Sequence, residues 1–255
     1  MSLFHSIIFG PVKSRRLGSS LGINLLPTHI KFCTFNCIYC ECGWTEASDV
    51  SKAEFYPATV IATALENRLI ELKKDNFPVD ALTFAGNGEP TTHPEFPEII
   101  ESTIRLRDLY APKAKICVLS NSSMIGNEKI RESLMKITNI MKLDAGSEEV
   151  FRCINNPKTH ILLKDIVSDL KKFEGNLIIQ SMFIRGEIGN KSIDNTETAE
   201  VDLWLQYLKE INPTEVMIYS LDRRPPTAKL EKISESELLD IAEKVKAIDL
   251  KVSVY

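Results

Sequence analysis

Six times along this chain a short apolar run gives way to a longer stretch with helical periodicity, and few folds accept that rhythm. The runs are Leu21–Leu26, Asp80–Phe84, Lys115–Leu119, Asn139–Leu143, Leu177–Phe183 and Glu215–Tyr219. The helical stretches are Ala58–Lys73, Glu95–Leu109, Glu128–Ile137, Lys164–Lys172, Glu200–Ile211 and Glu235–Ala247, with Leu250–Val254 as a short tail strand. In the first of them Val60, Ala64, Leu65, Leu69 and Leu72 recur close to one turn apart, which gives one apolar stripe. Strands alternating with helices predict a parallel sheet covered by helices. In such α/β folds the loops after the strands converge, so residues just beyond each run are the candidates for chemistry.

Composition bounds the rest. With 255 residues, 44% hydrophobic and 26% charged, the chain can bury one sizeable core. No segment rich in Pro, Gly and Ser divides it. No apolar run reaches the roughly 20 residues a membrane helix needs, and the start, Met1-Ser-Leu-Phe-His5, lacks the regions of a signal peptide. Six cysteines, three of them tightly grouped, suit a reducing compartment better than a disulfide framework, so the expected address is cytoplasmic. A net charge of −4 argues against nucleic-acid binding over the whole surface. A local basic site stays open, because Lys13, Arg15, Arg16 and Lys31 lie near the grouped cysteines in sequence.

Those cysteines are Cys33, Cys37 and Cys40, in Lys31-Phe-Cys-Thr-Phe-Asn-Cys-Ile-Tyr-Cys40. The spacing puts three soft thiolates on one short loop after the first strand, able to grip three irons of a cubane cluster. Clusters that only transfer electrons usually take four cysteines. Three leave one iron open to a substrate. Buried free thiols are the alternative, but Thr, Asn and Tyr between them make a poor apolar strand. Cys42 is close enough to be a fourth ligand, and a neutral neighbour of the ligands is the preferred reading.

With Tyr39 before its last cysteine, the triad resembles the radical S-adenosylmethionine (SAM) superfamily. Further stretches are similar to its wyosine-synthase-like iron–sulfur oxidoreductases. They are Gly10–Gly18, Leu21–Pro27, Gly86-Asn-Gly-Glu-Pro-Thr-Thr-His93, Lys142-Leu-Asp-Ala-Gly146, Ile154-Asn-Asn-Pro157 and Ile218–Arg223, in that order. The resemblance implies a partial (β/α)6 TIM-type barrel of parallel strands with the cluster loop after the first barrel strand. It implies one domain over residues 1–255, with 1–20 as an N-terminal extension packed at a barrel of 21–255. It implies a 4Fe–4S cluster held by Cys33, Cys37 and Cys40, with SAM chelated at the open iron. One electron from a reductant such as flavodoxin or ferredoxin then cleaves SAM, and the 5′-deoxyadenosyl radical abstracts a substrate hydrogen. Tyr39 is expected near the adenine, and Glu89 is expected to accept a hydrogen bond from the SAM amino group.

Other residues are weighed one by one. Gly86, Asn87, Gly88 and Glu89 follow a strand; the glycines would let backbone approach a ligand without a Cβ, and Glu89 would meet an ammonium. Plain turn chemistry is the alternative. Asn121 ends the third strand, as a ribose or substrate contact or as a polar loop residue. Lys142 and Asp144 share a strand face and either pair or meet a polar ligand. Gln180 belongs to the same group, and Arg185 is either a carboxylate clamp or a surface residue. Tyr219 closes the sixth strand, with Asp222 and Arg223 beyond it at the substrate mouth. Arg15 and Arg16 are expected there too, to hold a phosphate, an RNA backbone or a carboxylate, against a solvated charge pair. His93 reads as a residue at the start of a helix, while Cys117 and Cys153 read as structural.

The substrate stays unidentified, with an RNA- or tRNA-related one among the options. No cysteine precedes Cys33 and no flavodoxin-like stretch occurs, so wyosine chemistry itself does not carry over. An iron–sulfur carrier or sensor that never cleaves SAM, and an RNA-binding module with a structural cluster, are the competing classes.

Overall fold

Five of the six expected strands form within about a residue of their expected bounds, and all six lie in one sheet. The computed structural model describes residues 3–51, 53–189, 191–222 and 229–255. In chain order the parallel strands are β2 (Gly18–Ile23), β3 (Ala81–Phe84), β4 (Lys115–Ser120), β5 (Thr138–Lys142), β6 (Ile178–Met182) and β9 (Glu215–Tyr219). They neighbour one another in that order, every pair parallel. A strand covered on both faces has no polar side to show, which is why each reads as an apolar run. All four residues of β3 are buried, for example.

Helices cover the outer face. The longest are α2 (Ala58–Lys74), α3 (Phe96–Tyr110) and α7 (Thr198–Ile211). The buried stripe of α2 is Ile61, Leu65, Leu69 and Leu72. Helix α3 turns Phe96, Ile99, Ile100 and Leu106 inward. The α8 helix (Glu235–Lys246) starts at a capping box, in which Ser234 accepts from Glu237 N and Glu237 reaches back to Ser234 N. Among the described residues, no helix is long and apolar enough to cross a membrane.

Four features depart from the expected pattern. The first barrel strand begins at Gly18 and ends at Ile23, earlier than Leu21–Leu26. The chain leaves the strand there because the Asn24 side chain pairs with both the N–H (3.2 Å) and the C=O (3.1 Å) of Leu26. Upstream, β1 (Ile8–Ser14) pairs antiparallel with β2 and forms one edge of the sheet. At the other edge the expected tail strand forms as β11 (Val252–Val254) and pairs parallel with β9, a seventh parallel strand. The sheet therefore stays open between β1 and β11, as a partial barrel. A small antiparallel sheet of β7 (Ile184–Ile188), β8 (Lys191–Asp194) and β10 (Leu230–Lys232) branches off after β6. Finally, α5 (Glu148–Asn155), capped by Ser147, intervenes before α6 (Leu163–Lys171).

A candidate cofactor site at the C-terminal ends of the strands

The cysteine loop leaves β2 and crosses the C-terminal ends of the parallel strands, stitched on both sides by backbone hydrogen bonds. On one side Phe32 N donates to Asn87 O (2.8 Å) and Glu89 N donates to Phe32 O (3.1 Å). On the other, Asn36 N donates to Asn156 O (3.0 Å), Ile38 N to Ile154 O (3.0 Å) and Lys158 N to Thr34 O (2.8 Å). Asn156 ends α5 in the left-handed conformation, φ 41°, which exposes its carbonyl. Phe35 is buried edge-on against Phe151, ring centroids 5.6 Å apart. The stretch 154–157 thus serves as the outer support of the loop.

So held, Cys33, Cys37, Cys40 and Cys42 all line one cavity of about 270 Å³. Burial pushes the Cys33 thiol up to about 12 and raises Cys37 as well. Cys40 goes the other way, to about 5, because the Cys42 thiol donates to it and Lys31 lies beside it; Cys42 is raised in turn. Buried thiols of this kind give up their protons when a metal compensates the charge. Among the described residues no three His, Cys, Asp or Glu side chains converge on a point that would hold a single ion. The thiols ring a space instead, and that arrangement suits a polynuclear cluster, in which each cysteine takes its own iron.

The turn after β3 forms the next wall. Gly86, Gly88 and Glu89 line the cavity, and both glycines also make room for the protein's own atoms. A Cβ on Gly88 would run into the Phe32 carbonyl, and one on Gly86 into the Asn24 side chain. Asn87 is turned away, with Oδ1 accepting from Phe4 N (2.8 Å) and Nδ2 donating to Pro27 O (2.9 Å). It anchors the N-terminal stretch and does not line the cavity. Glu89 is buried, with Oε1 accepting from Thr91 N (3.1 Å), Thr91 Oγ1 (2.5 Å) and Ser120 Oγ (2.9 Å). Its Oε2 accepts from Asn121 N (2.6 Å). Burial raises the Glu89 carboxyl above its ordinary range, against the pull of these donors.

Under the cavity floor lies a polar knot. Tyr39 donates its hydroxyl to Asp144 Oδ2, which also accepts from Asn155 Nδ2 (2.8 Å), while Met182 N donates to Asp144 Oδ1 (2.9 Å). Lys142 Nζ lies 3.4 Å from Asp144 Oδ2, with its side chain only 14% exposed. Burial works against the lysine's charge, and Asp144, Tyr219 and Cys37 together outweigh it, so Lys142 stays protonated. Burial, with the Asp144 charge adding to it, holds the Tyr39 phenol protonated. Lys142 and Tyr39 line the cavity; Asp144 is one layer beneath, positioning both.

At the rim, Arg16 lies 4.8 Å above the Tyr219 ring and donates from Nη1 to Gln180 Oε1 (2.9 Å). Arg15 pairs with Asp222 at 3.3 Å, both side chains more than half exposed. A second cavity of about 270 Å³ adjoins the first and shares Arg16, Tyr39 and Tyr219 with it; Arg15, Glu41, Met182, Ser220, Leu221, Asp222 and Tyr255 complete its walls. The two together fall within the range of small-molecule sites, about 300–1,000 Å³. A larger cavity, about 490 Å³, opens at the opposite ends of the strands beside Lys115, Thr138 and Thr214, with no cysteine in its lining.

The structure therefore brings together the three cysteines, Tyr39, Gly86, Gly88, Glu89, Asn121, Lys142, Gln180, Tyr219 and Arg16, and places Arg15 and Asp222 at the adjoining mouth. Arg185 is elsewhere. It bonds Asp194 (3.0 Å), Thr196 (2.9 Å) and Glu237 (2.6 Å), tying the small sheet to α8. Arg223 lies outside the described residues. His93 is at the start of a helix, bonded to Tyr56 O (3.0 Å) and Glu95 N (3.1 Å). Cys117 is buried within β4 and Cys153 lies in α5. Asn155 escaped the sequence reading; its signal was present in Ile154-Asn-Asn-Pro157, which the resemblance singled out without a role.

Comparison with known proteins agrees with this geometry. A family profile described as the Radical SAM superfamily matches residues 28–191. A UPF0026 protein of Methanocaldococcus jannaschii is 34% identical over 239 residues, covering 92% of this chain and 69% of that protein. A radical SAM methyltransferase from Sphaerobacter thermophilus superimposes with TM-score 0.66 at 13% identity, covering 92% of this chain. This chain spans 65% of the methyltransferase's length. The structure of TYW1 with a lysine–pyruvate adduct bound gives TM-score 0.61 at 15% identity, over 91% of this chain and 75% of that one. At these identities the two structures speak to the fold.

Proposed function

The chain belongs to the radical SAM superfamily, whose enzymes use a 4Fe–4S cluster and SAM, and on that premise we propose that Cys33, Cys37 and Cys40 hold the cluster and that the adjoining cavities take SAM and a substrate. The observation that carries the reading is the convergence of three thiols, a buried carboxylate and three cations on the cavity above the parallel strands. When bound, the cluster and SAM supply reductive cleavage of the sulfonium and hydrogen abstraction from the substrate. The protein's own part is to bind, orient and exclude water.

Glu89 supports an ammonium site. Three donors occupy Oε1, but Oε2 accepts only from Asn121 N among the described residues, which leaves a lone pair for a cation. Burial disfavours the charged form of the carboxyl, and a bound ammonium would favour it. Lys142 and Arg16 on the opposite wall offer positive charge to a carboxylate or phosphate. Tyr39 and Tyr219 supply flat apolar faces suited to a purine. The substrate class stays open. Arg15 and Arg16 at the rim favour an anionic substrate, an RNA- or tRNA-related one included, and a flavodoxin- or ferredoxin-like reductant is proposed as the electron donor.

The test is an anaerobic reconstitution of the wild type and of Cys37→Ala. Iron, sulfide and absorbance report the cluster, and the electron paramagnetic resonance (EPR) signal of the reduced protein reports whether SAM reaches it. The wild type should hold four irons' worth of cluster with a signal that SAM changes, and the variant should hold none. An intact cluster in Cys37→Ala would sink the ligand assignment. A loaded cluster whose signal ignores SAM would favour a carrier or sensor.

A further inference from the structure

Two of the three thiols proposed as ligands receive a side-chain amide donor, and a buried cation lines the cavity they share with the third. Asn121, just after β4, points Nδ2 at Cys33 Sγ (3.5 Å). Asn155, at the end of α5, points Nδ2 at Cys37 Sγ (3.6 Å). Lys31, two residues before the first cysteine, lines the same cavity as Cys40. The first two are neutral amides. Lys31 is a cation, 3% exposed, and it also donates to Gly43 O (2.8 Å) and Asn36 Oδ1 (3.4 Å).

Those partners are neutral, and among the described residues no carboxylate pairs with Lys31. A buried charge persists only where something compensates it. The other cation buried in this cavity, Lys142, has its counter-ion in Asp144 at 3.4 Å. Lys31 has only the cysteine loop. Three thiolates around a cluster carry net negative charge, and that charge grows by one when an electron is added. A fixed positive charge in a water-poor site therefore favours the reduced form, as do hydrogen bonds to the sulfurs.

We propose that Lys31 is the counter-charge of the cluster: buried in the cavity that the cysteines line, it raises the reduction potential, so that a one-electron donor can deliver its electron, with Asn121 and Asn155 donating to the sulfurs of Cys33 and Cys37. This rests on the ligand assignment above. It concerns the one-electron couple of the cluster itself, so it is tested without SAM, and a failure to cleave SAM would leave it measurable.

The experiment is a redox titration of the reconstituted, SAM-free protein, followed by the EPR signal of the reduced cluster, with iron content measured on the same samples. Lys31→Met and Lys31→Gln should both shift the midpoint to more negative potential, Lys31→Gln separating loss of charge from loss of a polar group. Lys31→Arg should restore it towards the wild type, which a purely structural lysine would not require. Should both neutral variants fold, by circular dichroism, yet hold no cluster while Lys31→Arg holds one, the counter-charge role is supported through assembly. Neutral variants with the wild-type midpoint would overturn the proposal. So would loss of the cluster in all three variants, because position 31 would then be one of packing alone.

Discussion

Adding one methyl group at Gly88 should detach the cysteine loop from the barrel. Gly88 has φ 143°, a conformation side chains rarely adopt, and its Cβ would overlap the Phe32 carbonyl and lie 3.0 Å from Leu26 Cδ1. The carbonyl cannot retreat freely, because it accepts from Glu89 N (3.1 Å) while Phe32 N donates to Asn87 O (2.8 Å). Backbone strain of about 1–3 kcal/mol and two weakened hydrogen bonds at about 0.5–1.5 kcal/mol each put Gly88→Ala at about 2–6 kcal/mol. At roughly 2–4 °C per kcal/mol for a domain of this size, the melting temperature should fall by roughly 5–20 °C. Gly189→Ala is the control: φ is positive there too, at 57°, but among the described residues nothing lies within 4 Å of the added Cβ, so only the conformational cost of about 1–2 kcal/mol applies. Thermal unfolding and iron content after reconstitution are the readouts. Gly88→Ala should lose more stability than the control and should hold less cluster. If it melts with the control and loads fully, the bridge between Phe32 and Gly88 does not hold the loop.

Three further outcomes follow from particular contacts. Glu89→Gln should keep the cluster but weaken SAM about ten- to a hundredfold, the value of a charge-assisted hydrogen bond of about 1.5–3 kcal/mol; unchanged affinity in an anaerobic binding titration would remove Glu89 from the site. Tyr39→Phe leaves Asp144 with Asn155, Met182 N and Lys142, so urea unfolding should show a loss of only about 1–2 kcal/mol, and a much larger loss would mean the knot depends on the phenol. Ser234→Ala should be destabilising by about 1 kcal/mol near neutral pH. The Ser234 hydroxyl, with Arg185 adding to it, holds Glu237 at about 2, below its ordinary 4.5. A depressed carboxyl stabilises the fold above its ordinary value and loses that contribution as pH falls through the folded one. The gap between wild type and Ser234→Ala should therefore narrow between about pH 4.5 and 2. A constant gap would show that the hydroxyl acts only as a cap for Glu237 N.

Residues buried on both faces were readable in advance, and residues whose role depends on a distant partner were not. The central strands show themselves because an apolar run such as Ala81–Phe84 has no other use. Strand β1 carries Gly10, Pro11 and Lys13 and is largely exposed, so nothing in its composition distinguishes it from a loop. Strands β7, β8 and β10 hide for the same reason: Glu187, Lys191, Glu231 and Lys232 are solvent-facing. The cysteine triad was plain from its spacing. Asn87 and Arg185 are chemically suited to a ligand, but one is taken up by Phe4 and Pro27 and the other by Asp194 and Glu237, partners that no local pattern points to. The glycines read as room for a ligand, but the room they make for Phe32 and Asn24 was not legible, because both neighbours lie far away in sequence.

The central claim is that this cavity activates SAM. The most direct test is to reconstitute the cluster anaerobically, add SAM and dithionite, and measure 5′-deoxyadenosine and methionine. The account predicts that both form in equal amounts and that neither forms with Cys37→Ala. A fully loaded, reducible cluster that binds SAM no better than Cys37→Ala does, and yields neither product, would contradict it.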